Sequence, residues 1–188
     1  MLDALRHLDY GLLKSATDLT ANHAWLKGFT YVAAQLLIVG FFGVLLYLWH
    51  RPEKASAHHG GRKAAMLAIM GVVGAVAAKT LVVLFWVRPR PFLSHPELFR
   101  MDLHGVDPSS FPSAHTMIAL VIATSLLLSG YKKLGWILVV LAIIIGLGRI
   151  FSGVHYPSDV LGGAIFGIAT ALYLHREASE IKRYLPNR

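Results

Sequence analysis

His155 and Asp159 stand four residues apart, and Arg149 precedes the histidine by six. If a helix begins near His155, with Pro157 tolerated in its first turn, imidazole and carboxylate share one face. The carboxylate then holds one ring nitrogen as N–H and leaves the other as a lone pair, which makes a nucleophile. A second histidine closes the segment Ser110-Phe111-Pro112-Ser113-Ala114-His115, where it can protonate a leaving oxygen. The segment Arg88-Pro89-Arg90-Pro91-Phe92 supplies two more guanidiniums. Arginine forks match phosphate oxygens, and helix N-termini add free N–H groups and the positive end of a dipole. The combination describes an anion site built without metal, holding a nucleophile, an orienting carboxylate and a general acid.

Such groups need a scaffold, and the composition says which kind. Of 188 residues 55% are hydrophobic and only 15% charged, against about 25% charged in an ordinary soluble domain. Five apolar runs, 29–49, 64–87, 113–129, 134–151 and 158–174, are long enough to be membrane spans. The expected fold is therefore all-α, one polytopic helix bundle of about five transmembrane helices filling residues 1–188. Residues 1–20 place Leu2, Leu5, Leu8, Leu12 and Leu13 at helical spacing among Asp3, Arg6, Asp9 and Lys14, which predicts an amphipathic helix lying in the interface or packed on the bundle. Small residues four apart, Gly74 and Ala78, Ala142 and Gly146, Gly163 and Gly167, predict close helix packing. Gln35, alone in the first run, is expected to bond between helices.

The chain has no cysteine, which excludes a disulfide framework, a thiolate metal site and a cysteine nucleophile. Only Asp159 among ten acidic residues lies in the constellation, so neither a metal nor a cofactor is expected. The net charge of +8 is assigned to membrane topology and anionic lipid, with no nucleic-acid partner. Loops on one side carry ten Lys and Arg and those on the other seven, with Lys79 inside a span. By the positive-inside rule the basic tail 176–188 is cytoplasmic, and the N-terminus and the constellation are outside.

Arg90-Pro91, then Pro112-Ser113-Ala114-His115, then Arg149 followed by His155 and Asp159, resemble the three motifs of the type 2 phosphatidic-acid phosphatase superfamily of membrane lipid phosphatases. The resemblance spans 79–163 and is greatest to the short bacterial undecaprenyl-diphosphate phosphatases, which act on the outer face of the cytoplasmic membrane. It implies that His155 attacks phosphorus, Asp159 supports it, and His115 protonates the leaving group. It further implies that Arg90, Ser113, Arg149 and the backbone N–H groups near Ala114 hold the phosphoryl oxygens of a polyprenyl or other lipid phosphate. Two positions depart from the pattern. Gly148 stands where the family commonly has Ser before its Arg. The first motif's Lys, usual seven residues before Arg90, is replaced there by Val83, and the nearby lysine is Lys79.

Lys79 and Arg88 are additional phosphate candidates. Lys79 sits eight residues, roughly 12 Å, inside its span, which argues against direct contact and for a wet cavity or an anionic ligand. Extending that helix at roughly 100° per residue puts Arg90 on the face of Lys79 and Arg88 on the opposite one, so Arg88 is expected to be an exposed charge. The pair His58-His59 is expected to be solvated, and Leu98, Phe99 and Met101 either rest on lipid tails or form a loop core. A phosphatase of phosphatidylglycerophosphate or phosphatidate would use the same motifs. A lipid or anion transporter is the rival from another class, and the sequence has neither an inverted repeat nor a charged path through the bilayer to favour it.

Overall fold

The structure, a computed structural model, describes residues 2–51, 60–95 and 109–184. His58, His59, Leu98, Phe99, Met101 and the last residues of the basic tail fall outside the described residues. Among those described, eight α-helices and one short π-helical segment follow in order: α1 Leu2–Asn22, α2 Ala24–Tyr31, the π segment Val32–Leu36, α3 Leu37–His50, α4 Gly61–Phe85, α5 Pro91–Ser94, α6 Ala114–Leu128, α7 Lys132–Phe151 and α8 Pro157–Tyr184. Ala24–His50, Gly61–Phe85, Lys132–Phe151 and Pro157–Glu180 are long and apolar enough to cross a membrane, and Ala114–Leu128 is a shorter apolar helix. The five apolar runs of the sequence thus appear as four full spans and one helix of 15 residues.

The short helix is the axis of the bundle. Packed against α7, α8 and α4, α6 buries Met117, Ala119, Val121, Ile122, Ala123 and Leu126 completely. A helix wrapped by protein need not match the thickness of the lipid. Of the three expected small-residue pairs, Gly163 and Gly167 meet backbone at its surface: a Cβ built on Gly163 would lie 2.6 Å from the Ser113 oxygen, and one on Gly167 2.5 Å from that of Met117, whereas Gly74 has only an ordinary side-chain contact with Thr170 at 3.6 Å. Gly130, at φ 89°, ends α6 in a Schellman turn, with Tyr131 N–H bonded to Leu126 O and Gly130 N–H to Leu127 O.

The N-terminal helix turns most of its apolar stripe away from the bundle. Leu5, Leu8, Leu12 and Leu19 are exposed, whereas Leu13 and the carboxylate residue Asp9 are buried against the bundle. An apolar stripe facing outward is what a helix bordering lipid needs, and Asp9 finds partners inside. Gln35 is exposed and not buried between helices.

Candidate active site

Two helix starts and one helix end meet to form the site. At the end of α7, Gly153 adopts φ 72° in a second Schellman turn, with Gly153 N–H bonded to Ile150 O and Val154 N–H to Arg149 O. The reversal brings His155 back over Arg149. Pro157 then opens α8 as its first residue, where its missing N–H costs nothing. His155 therefore precedes the helix, and its relation to Asp159 is not that of an i,i+4 helical pair as expected. Asp159, in the first turn, reaches back to accept the Tyr156 N–H at 2.9 Å, which is half of a capping box. That reach leaves its Oδ2 3.7 Å from His155 Nδ1. The separation is a near contact and not a hydrogen bond, and His155 Nδ1 is a buried atom with no partner.

The other ring nitrogen faces cations. Arg90 Nη1 and Arg149 Nη2 each lie 3.4 Å from His155 Nε2. Both arginines are buried; Arg90 also donates to Val154 O at 3.4 Å and Arg149 to Ala34 O at 3.2 Å. Arg149 Nε is buried without a partner, an unsatisfied donor at a site that converges on a lone pair. Burial of the His155 ring holds its pKa down at about 4; Asp159 pulls it up, and Arg149 and Arg90 push it lower. The ring is therefore neutral near pH 7.

α6 enters from a different part of the chain. Ser113 is its N-cap residue and Ala114 its first, so the N–H groups from Ala114 onward lack helical acceptors. The Ser113 N–H bonds to Asp159 O at 3.0 Å, tying the starts of α6 and α8 together, while its hydroxyl bonds to Thr116 at 3.2 Å. His115, half-buried in the first turn, is near enough to Arg149, His155, Arg90 and Lys79 for their charges to act on its ring. Lys79 is half-buried on α4, six residues before the end of that helix at Phe85.

Arg88 does not behave as the sequence suggested. Helical arithmetic fails because α4 ends at Phe85 and the chain runs extended to Pro91. Arg90 nevertheless arrives at His155, and Arg88 turns onto carboxylates: Nη1 lies 2.6 Å from Asp159 Oδ1 and Nη2 2.6 Å from Asp9 Oδ2. Its guanidinium stacks on the Tyr156 ring, 4.2 Å from the centroid. Only 19% exposed, it is neither a surface charge nor aimed at His155 Nε2.

Sequence reasoning missed two contributors. Asp9 gave no local signal, because its partner Ser158 is 149 residues away. The other is the π segment. A Cβ on Gly148 would lie 2.8 Å from Ala33 Cβ and 3.0 Å from Ala34 N. Glycine there lets the segment approach, and the Ala34 carbonyl accepts a hydrogen bond from Arg149 Nη1 at 3.2 Å.

The arrangement can bind a phosphoryl group between two guanidiniums and a helix N-terminus, beside an imidazole lone pair. The family model for the PAP2 superfamily matches residues 62–182. The chain is 29% identical to undecaprenyl-diphosphatase BcrC of Bacillus subtilis (strain 168), over 95% of this chain and 88% of the relative. Among solved structures, a transmembrane PAP2-type phosphatidylglycerolphosphate phosphatase from Bacillus subtilis matches with TM-score 0.67 and 24% identity, over 96% of this chain and 89% of that one. Aquifex aeolicus LpxE matches with TM-score 0.66 and 25% identity, over 90% and 95%.

Proposed function

The chain belongs to the PAP2 superfamily, and from that premise we propose that it removes the terminal phosphate of undecaprenyl diphosphate, or a similar polyprenyl diphosphate, through a phosphohistidine on His155. That it is a lipid phosphatase of the bacterial inner membrane follows from its family, its apolar helices and its bacterial relatives. The finer assignment is supported by the relative named as an undecaprenyl-diphosphatase, which aligns with nearly the whole chain. The observation that carries the chemistry is the convergence of Arg90 and Arg149 on His155 Nε2, with Asp159 on the opposite nitrogen.

In the proposed reaction the terminal phosphoryl group sits where Arg90, Arg149 and the N–H groups at Ala114 meet. The Nε2 lone pair forms a bond to phosphorus while the bond to the bridging oxygen breaks. With the substrate's negative charge set among the surrounding cations, His115 carries a proton, gives it to that oxygen, and polyprenyl phosphate leaves. Asp159 favours the Nδ1–H tautomer and offsets the positive charge that the ring acquires. Water, losing a proton to His115, then attacks the phosphohistidine and releases orthophosphate. No step uses a metal or a cofactor.

Purified protein in detergent should release phosphate from undecaprenyl diphosphate faster than from phosphatidylglycerophosphate or phosphatidate, and should do so in excess EDTA. Preference for a glycerolipid would overturn the substrate; loss on chelation with recovery on adding Mg²⁺ would overturn the mechanism. The outward-facing site is tested in intact cells with an impermeant maleimide, which should label Ser94→Cys and spare Ser56→Cys. The reverse pattern puts the site inside.

A further inference from the structure

Asp9 lies on α1, outside the 62–182 match to the family model, yet it is bonded to the machinery of the site. Oδ1 accepts the Ser158 N–H at 2.9 Å; Oδ2 accepts Arg88 Nη2 at 2.6 Å and also the Ser158 hydroxyl. Ser158 is the second residue of α8, so its N–H is one of those a helix start leaves without a partner. Arg88 in turn gives Nη1 to Asp159 and to Ser158 Oγ, both at 2.6 Å. Asp9 is 7% exposed and Asp159 fully buried, which places both carboxylates where a misplaced charge is costly.

We propose that Asp9 is a positioning residue for the His155–Asp159 pair. It caps α8 from a helix distant in sequence and divides one guanidinium between two carboxylates. Two consequences follow. Held by both arms and stacked on Tyr156, Arg88 binds only Oδ1 of Asp159, which leaves Oδ2 directed at the Tyr156 N–H and His155 Nδ1. The trio also keeps a net charge of −1, so Asp159 retains negative charge to set against a positively charged ring. With Asp9 neutral, the whole Arg88 charge falls on Asp159. The phosphate-facing arginines lie on the other side of the ring, so turnover should suffer and substrate capture should not.

The inference rests on His155 being the nucleophile, and its test separates the two. Asp9→Asn, Asp9→Glu and Ser158→Ala are compared with Asp18→Asn, which breaks the exposed Lys14 pair on the same helix. Kinetics on undecaprenyl diphosphate in detergent are accompanied by ring ¹⁵N spectra of histidine-labelled protein. Asp9→Asn should lose about 10-fold or more in kcat, the scale of a displaced catalytic group, with KM within about 2-fold; Asp9→Glu should recover part of it. The His155 resonances should move in Asp9→Asn and stay in Asp18→Asn. Unchanged kcat per folded molecule, a rise confined to KM, or unmoved His155 resonances would overturn the proposal. Should Asp9→Asn fail to fold, Ser158→Ala must show the same kcat-selective loss on a smaller scale, and unchanged kcat there is equally fatal. If the wild type releases no phosphate from any lipid, the phosphatase assignment fails, and the His155 resonances alone decide the role of Asp9.

Discussion

The two nitrogens of His155 face opposite electrostatic worlds. On the Nδ1 side, Asp159, Arg88 and Asp9 form a closed chain of ion pairs at 2.6 Å, with the start of α8 as a further donor. On the Nε2 side, two guanidiniums stand at 3.4 Å from a neutral ring, and one of them keeps an unsatisfied buried nitrogen. Neighbouring cations around a neutral base are unfavourable until an anion joins them, whereas paired charges are held without one. The first side is therefore suited to folding and orientation, and in the proposed reaction the second side binds the charge that arrives with the substrate and grows in the transition state.

The sharpest way to break the comparison is to remove the ring between the two sides. His155→Ala should cost at least about 1,000-fold in kcat, comparable to losing a covalent nucleophile. Phosphate release above a few per cent of wild type would remove His155 from that role.

The next two substitutions set the sides against each other. Arg88→Ala leaves the buried Asp159 carboxylate without its cation and should destabilise the protein by about 3 to 5 kcal/mol, measured by thermal unfolding in detergent. Arg90→Ala should cost about 2 to 4 kcal/mol in kcat/KM with a smaller change in unfolding. The sequence alone predicts Arg88 to be an exposed charge; its ion pairs with Asp9 and Asp159 and its 19% exposure overturn that expectation. The comparison collapses if Arg90→Ala is the more destabilising and Arg88→Ala affects only catalysis.

Gly148→Ser tests whether the Nε2 side depends on the first span. The added Cβ meets Ala33 and the backbone of Ala34, so the substitution should push the π segment away from Arg149 and cost about 1 to 3 kcal/mol, the scale of overpacking. The loss should be visible in kcat/KM and in unfolding alike. A gain in activity would mean that the hydroxyl common in the family is simply missing here.

What could be inferred from sequence divides along the same line. His115, Arg149, His155 and Asp159 were legible because helix termini and arginine forks carry local patterns, and Arg90 because it precedes Pro91-Phe92. The five apolar runs were legible because each must satisfy its own backbone. Arg88 was misassigned because the helix stops at Phe85, where no glycine or proline stands until Pro89. Asp9 was invisible for another reason: pairing between α1 and α8 is a tertiary fact with no periodicity to betray it. The outward leucines of α1 fit the interfacial alternative of the sequence reading, since in lipid the apolar face of a helix need not be its packed face.

The smallest expected effect is an absence of change with pH. An imidazole at its ordinary value near 6.5 would be roughly 97% protonated at pH 5 and useless as a nucleophile. Burial holds His155 at about 4, so at pH 5 about 90% should remain neutral, and kcat/KM should stay nearly level from pH 7 to 5. Stability should not. The unfolded chain binds a proton to this ring below about 6.5 while the folded chain resists until about 4, so the unfolded state gains protons first and stability falls as pH drops through that window. Activity per folded molecule that holds while the unfolding midpoint declines is therefore the signature of a ring buried between the two sides. An acid limb centred near 6.5 would mean that water reaches His155 in the working enzyme, and the contrast between its two faces would be correspondingly weaker.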